Sequence, residues 1–229
     1  MRNREYHWRK CLRLGRRTRR LPKMYNAYDK SKIWAEQLVV IQYDLKRMPS
    51  MNYHNVIQII KRHAATSPWH PYTQGHLYLI YVMGHVLRDE QSIFWGYSLL
   101  CNALYKYGPD TKYGTPVFPR WISEHYIPPG LDATLAEHCM RLRWSYVMFG
   151  QTFTTPECIC TIWDYLLRSR HNTYYMCAAL LVHANRCVPR AASSCLLEHW
   201  SNIVAIQISS LETAAELIAA AQVLERVHL

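Results

Sequence analysis

Apolar side chains recur at helical spacing along most of this chain. From Ile33 onward the pattern is clear, as in Trp34, Leu38, Ile41 and Leu45, and this spacing lines one face of an α-helix with apolar groups. Breakers that contain proline, glycine or serine separate the patterned segments, and they lie at 48–50, 67–68, 108–110, 128–130, 155–156 and 188–189. No alternation typical of β-strands lies between them. We therefore expect an all-α fold.

One multi-helix domain over residues 1–229 is the simplest organisation. A chain of 229 residues can bury a sizeable core, and neither a repeat of fixed period nor a low-complexity linker divides it. Two helix starts carry their own signals. Thr155 and Pro156 fit an N-cap and the first helical position, and Ser209 with Glu212 fits a capping box. The last helix should then run to about Val227.

The net charge of +11 is unevenly distributed. Residues 1–23 hold ten Lys and Arg against the single acid Glu5, including Arg16, Arg17, Arg19 and Arg20. We expect this basic N-terminal segment to form the first helix and a loop. Three roles stay open for it, namely a localisation signal, a phosphate contact or a surface for anionic lipid, and a solvated face is the plain alternative.

The cysteines indicate a reduced protein. Eight of them are present, but the basic start lacks the apolar core of a signal peptide, so we expect thiols packed in helical interiors. The longest apolar stretch, residues 77–87, is too short for a spanning helix. Cys158, Cys160, His171 and Cys177 have poor spacing for zinc, and we expect no metal or cofactor site.

A charged pair lies at the end of one predicted helix. Asp44 precedes Arg47 by three residues, one helical turn, so its carboxylate can restrict the guanidinium. Ile41, one turn before Asp44, should face the core. Taken alone, this is also the pattern of an ordinary amphipathic helix with an ion pair.

A second polar group lies at a predicted helix entrance. Tyr72-Thr73-Gln74-Gly75 follows Pro71 and opens the apolar helix that begins near residue 77. Gly75 permits close approach of another backbone, and the amide of Gln74 can both donate to a phosphate oxygen and accept from a water. A surface glutamine beside a turn is the plain alternative.

Together the two segments resemble the TBC family of Rab GTPase-activating proteins. That family has an I-x-x-D-x-x-R motif with an arginine finger, followed by a Y-x-Q-G motif with a glutamine finger, and both stand here in that order. Its aromatic and proline signatures also have counterparts, at Phe94, Trp95, Trp144, Phe149, Phe153, Pro156, Trp163 and Asp164. The opening R-x-x-x-W helix is matched by Arg4, Trp8, Leu12 and Gly15, so the resemblance covers nearly the whole chain.

The resemblance implies a TBC fold and an activity exerted in trans. Arg47 would stabilise charge on the transferring phosphoryl group and Gln74 would position the attacking water. Ile41, Asp44, Tyr72 and Gly75 would support the two fingers. The other motif residues would be structural, with the aromatic rings packed in the core and the Asp164 carboxylate either bonded to a donor or facing solvent. GTP and Mg²⁺ would belong to the partner, a Rab-type GTPase in its GTP form. We expect a cytoplasmic protein, with the cytosolic face of endomembranes as a further location.

Departures from the family pattern leave an alternative open. Pro71 and His76 flank the glutamine motif where relatives have other residues, and Met48 follows Arg47 where threonine is common. These changes alter what orients the fingers, so a TBC fold that binds a GTPase or another partner without accelerating hydrolysis is the second hypothesis. A nucleic-acid binder that uses the basic segment is a third, which we do not expect to be the main function.

Overall fold

The computed structural model describes residues 2–15, 35–48, 53–66, 72–106, 119–145, 147–169, 171–188 and 195–228. Within these ranges the chain forms α-helices, one π-helical turn and, as the only β pairing, an isolated bridge between Phe153 and Ile208. The prediction of an all-α fold is confirmed. The described residues form two compact units, Met1–Lys106 and Tyr107–Leu229. The single domain over 1–229 stays a prediction, and each unit is described by itself.

In its described residues the first unit contains five helices, which are α1 (Arg2–Cys11), α2 (Ala35–Lys46), α3 (Tyr53–Thr66), α4 (Leu77–Val86) and α5 (Glu90–Lys106). Helix α5 packs against α3 and α4, and α2 packs against α4. Gly96 lets α5 approach α4 closely, because a Cβ atom there would lie only 2.8 Å from the sulfur of Met83. Phe94 and Trp95 beside it are buried, as the sequence predicts.

The second unit contains the helices α6 (Arg120–Tyr126), α7 (Ala133–Met140), α8 (Pro156–Leu166), α9 (Asn172–Cys187), α10 (Leu196–Val204) and α11 (Leu211–His228), with the π-helical turn Arg141–Ser145 after α7. Helix α9 is central, because it contacts α6, α8, α10 and α11. Its buried side chains continue over most of its length, which explains why its sequence shows no clear polar face.

Two tryptophans of the second unit hold its turns through their indole N–H groups. Trp144 donates to the carbonyl of Val204, and Trp163 donates to the carbonyl of Met148, each at 3.0 Å. Met148 and Phe149 have left-handed φ angles of 45° and 61°, a conformation that costs a non-glycine residue about 1 kcal/mol. Burial of both side chains and the bond from Trp163 offset that cost.

One of the two predicted helix starts is confirmed and the other is wrong by one residue. Thr155 accepts a bond from the amide of Cys158, and Pro156 opens α8. Helix α11 begins at Leu211, and it is Ser210, not Ser209, whose hydroxyl oxygen accepts from the amide of Thr213. The chain is still extended at 208–209, because Ile208 pairs with Phe153.

Asp89 connects two elements of the first unit at the start of α5. One carboxylate oxygen accepts from the amide of Ser92 at 2.7 Å, and the other accepts from Arg9 of α1. Burial opposes ionisation of Asp89, but the bonds from Ser92 and Arg9 outweigh it and lower the pKa of the carboxyl group. Asp89 is therefore both a helix cap and one half of an interhelical ion pair.

We expect Asp89→Ala to lower the free energy of unfolding by about 1 kcal/mol, the usual value of a lost N-cap, with a small addition for the exposed ion pair. Because the folded state lowers this pKa, the contribution is present above the unfolded value near 4 and is lost as pH falls below it. Urea unfolding at pH 7 and pH 3 measures both effects. Asp132→Ala, which removes a cap that accepts from Leu135, is the control. Equal losses at the two pH values would contradict the lowered pKa of Asp89.

Candidate functional site

The centre of the candidate site is Asp44, on the last turn of α2. Ile41 is fully buried and Asp44 is 2% exposed, because residues three apart share one face of a helix. The helix tightens as it ends, since the amides of Arg47 and Met48 donate to the carbonyls of Asp44 and Leu45, three residues back, at 3.0 Å. The Asp44 carboxylate is therefore buried near the C-terminal end of α2.

Two donors from the glutamine motif satisfy this buried carboxylate. The Tyr72 hydroxyl donates to Asp44 Oδ2 at 2.6 Å, and the Gly75 amide donates to the same oxygen at 2.7 Å. Burial, and then the bond to Asp44, raises the pKa of Tyr72 above its usual value, so the phenol stays a neutral donor. The two motifs are far apart in sequence, but in the structure they meet at one oxygen atom.

Gly75 adopts the conformation that this bond requires. Its φ of 91° lies in the left-handed region, where a side chain would be strained. The turn around it is held by bonds from the amides of His76 and Tyr78 to the carbonyls of Thr73 and Gly75, at 3.1 and 3.0 Å. Helix α4 then begins at Leu77. The predicted helix entrance is confirmed, and the left-handed φ of Gly75 is a reason for glycine that the sequence did not predict.

The predicted finger residues are both exposed. Arg47 Nη1 lies 3.9 Å from Asp44 Oδ1, which is an ion-pair distance but too long for a hydrogen bond. The Arg47 side chain is 57% exposed. Gln74 is also exposed and immediately precedes the Gly75 amide that binds Asp44. That both side chains face a common groove stays a prediction.

A buried aromatic layer that the sequence did not predict lies behind the glutamine motif. The rings of Tyr72 and His76 meet edge to face at 5.9 Å, and Tyr97 of α5 contacts His76 at 6.1 Å and His63 at 4.9 Å in the same way. His63 Nδ1 lies 3.1 Å from the Ser98 hydroxyl oxygen. The burial of His63 was predictable from the sequence, because His63 falls one turn after the apolar residues of α3.

A cysteine closes this layer without forming a reactive pair. Cys101 Sγ lies 3.8 Å from Nδ1 of His76, an arrangement that could suggest a Cys-His nucleophile. Burial raises the pKa of the Cys101 thiol well above its usual value, however, and a nucleophilic cysteine needs a lowered one. The pair is therefore packing behind Tyr72.

The aromatic residues of the remaining motifs are buried, each within its own unit. Phe94 and Trp95 are buried in the first unit, and the side chains of Trp144, Phe149, Phe153 and Trp163 are buried in the second. Asp164 is partly buried on α8. Their positions fit the predicted packing role. No disulfide involves any of the eight cysteines, all of which lie in the described ranges.

Three further expectations concern the basic N-terminal segment, metal sites and membrane-spanning helices. Arg16, Arg17, Arg19 and Arg20 lie outside the described residues. Among the parts of the chain that the structure describes, no three His, Cys, Asp or Glu side chains form a metal-binding group. Over the same ranges, no helix has both the length and the apolar character needed to cross a membrane.

Comparison with models of protein families returned no match, and neither did comparison with curated proteins or with solved structures.

Proposed function

We propose that this protein is a GTPase-activating protein for a Rab-type small GTPase, with Arg47 and Gln74 as the residues it supplies to the reaction. One observation carries the proposal: a single buried carboxylate, Asp44, pairs with Arg47 and accepts from Tyr72 and Gly75 on either side of Gln74. Asp44 thereby contacts Arg47 directly and holds the backbone next to Gln74, so that it restrains both segments that carry an exposed finger residue.

The chemistry requires a cation that is already in place when charge develops. In phosphoryl transfer the three equatorial oxygens of the transferring group gain negative charge, and an arginine supplied in trans is worth roughly 10³ to 10⁵ in rate. The ion pair with Asp44 restricts Arg47, but the Arg47 side chain stays 57% exposed. Arg47 therefore loses less conformational freedom when it inserts beside the γ-phosphate.

The glutamine acts on the attacking water. A carboxamide can accept a hydrogen bond from the water and donate to a phosphate oxygen, which orients the nucleophile without transferring a proton. The bond from Gly75 to Asp44 restricts the backbone at Gln74, so the amide starts from a defined position. GTP and Mg²⁺ are held by the GTPase, and this chain supplies no cofactor. The site of action is the cytosolic face of endomembranes, where Rab proteins reside.

Arg47→Ala should reduce stimulated hydrolysis by about 10³-fold, because the transition-state cation is lost, while binding of the GTP-loaded GTPase persists. Arg47→Lys should recover little, because an ammonium lacks the planar fork of a guanidinium. Single-turnover phosphate release across a panel of Rab proteins measures the effect. Arg88→Ala is a matched control, because Arg88 is also exposed and lies 3.8 Å from a carboxylate oxygen of Glu5.

The outcomes separate the two hypotheses. Undiminished release from a folded Arg47→Ala variant would reject the arginine finger. Binding of a GTPase by the unmodified protein without stimulated release would favour the binding module.

Gln74→Ala should lower the maximal rate by about 10²-fold, since loss of a positioned group of this kind commonly costs that much, and the KM for the GTPase should change little. Gln74→Glu should not restore the rate, because a carboxylate cannot donate to a phosphate oxygen. Gln207→Ala, at an exposed glutamine of the second unit, is the control. A rise in KM alone would show that Gln74 binds the partner and does not act in the chemical step.

Substitutions at Asp44 should separate the effect of its ion pair with Arg47 from that of its hydrogen bonds with Tyr72 and Gly75. Asp44→Asn keeps an oxygen for Tyr72 and Gly75 but loses the charge near Arg47, so the maximal rate should fall about tenfold while stability changes little. Asp44→Ala leaves the Gly75 amide buried without an acceptor, which costs about 1–3 kcal/mol. Urea unfolding and phosphate release on both variants measure the separation. Equal rates for the Asn variant and the unmodified protein would show that the ion pair does not position Arg47.

A further inference from the structure

The outer face of α2 exposes large side chains that its own unit does not use. Val39 is 50% exposed and Tyr43 is 59% exposed, although both lie in a helix whose opposite face buries Ile41 and Asp44. The two are four residues apart and so are neighbours on the helix surface. Gln42 is exposed beside them.

A cation borders the apolar pair on the same face. The Lys46 ammonium lies 5.3 Å from the centre of the Tyr43 ring, a cation–π distance. At 100° per residue, Gln42, Lys46, Val39 and Tyr43 fall within a sector of about 100°. We call Val39, Tyr43 and Lys46 the α2 strip. It leads along one side of the helix toward Arg47.

The composition of the α2 strip is that of a binding surface. Aromatic residues, and tyrosine in particular, are enriched at interfaces, because the ring buries a large area at a low cost in conformational entropy. The exposed charged residues described in α2 and just beyond its end are Lys46 and Arg47, both cationic. A partner that covers this face needs an apolar depression bordered by carboxylates.

We propose that the α2 strip is the docking surface for the GTPase itself, a proposal that rests on the proposed function. Continuity and charge point to this occupant, because Arg47 directly follows Lys46 of the strip and both side chains are exposed cations. With a rise of 1.5 Å per residue, Tyr43 lies about 6 Å and Val39 about 12 Å from Arg47 along the axis. The strip therefore binds the protein around the nucleotide and does not reach the reacting phosphate.

This position separates binding from chemistry. Val39→Ser and Tyr43→Ala should each raise the KM for the GTP-loaded GTPase roughly tenfold, the effect of losing an anchoring side chain at an interface. The maximal rate should stay within about twofold, because the lost contacts are the same in the ground state and the transition state. Lys46→Gln should raise KM less and should weaken its dependence on salt.

The controls are exposed residues of the same type elsewhere. Tyr6 on α1 is 68% exposed and Val223 on α11 is 57% exposed, so Tyr6→Ala and Val223→Ser remove similar surface away from α2 and should leave KM unchanged. Circular dichroism and thermal unfolding verify folding of every variant. Surface substitutions of this kind usually change stability by less than about 0.5 kcal/mol.

The experiment measures both phosphate release and direct binding to Rab proteins loaded with a non-hydrolysable GTP analogue. A selective rise in KM for the strip variants supports the docking surface. Stimulated hydrolysis with unchanged KM in those variants overturns it and leaves the proposed function intact. Binding without hydrolysis, weakened in the strip variants, supports the docking surface and overturns the catalytic role. Neither binding nor hydrolysis with any member of the panel overturns both.

Discussion

The candidate site depends on one buried carboxylate. Removing an aspartate from water costs several kcal/mol unless donors replace the lost solvent, and Asp44 receives them from Tyr72 and Gly75 on a single oxygen. The other oxygen faces Arg47. Because neither donor belongs to α2, the carboxylate is satisfied only when the Tyr72–Gly75 turn docks against the helix. Docking of this turn against α2 therefore completes the candidate site.

Asp44 holds the Tyr72–Gly75 turn tightly and Arg47 loosely. The two short hydrogen bonds come from the Gly75 amide and the Tyr72 hydroxyl. The Arg47 guanidinium lies 3.9 Å away, and the Arg47 side chain is 57% exposed. A tighter pair would neutralise Arg47 and would have to be broken before the cation could meet an anion. The long distance confines the side chain to one side of the helix end while leaving its donors available. This balance suits a residue that must leave its partner carboxylate and act on another molecule.

Local parts of this arrangement were predictable and long-range parts were not. Helical spacing indicated α2 and α4, the interval of three predicted the Asp44–Arg47 pair, and the motif at 72–75 predicted a helix entrance before residue 77. The bond from Tyr72 joins residues 28 positions apart, however, and no periodicity connects them; only the family resemblance suggested that they act together. The cap of α11 was misplaced because the bridge between Phe153 and Ile208 keeps the chain extended. His63 was missed because a histidine on an apolar face gives no signal of its partners.

The two faces of helix α2 differ in burial. Ile41 and Asp44 face inward, whereas Val39 and Tyr43 are apolar but exposed. A helix selected only for packing would place polar residues at those outer positions. In the proposed function one helix would therefore serve two purposes, because its inward face fixes α2 within its unit and its outward face would meet the GTPase.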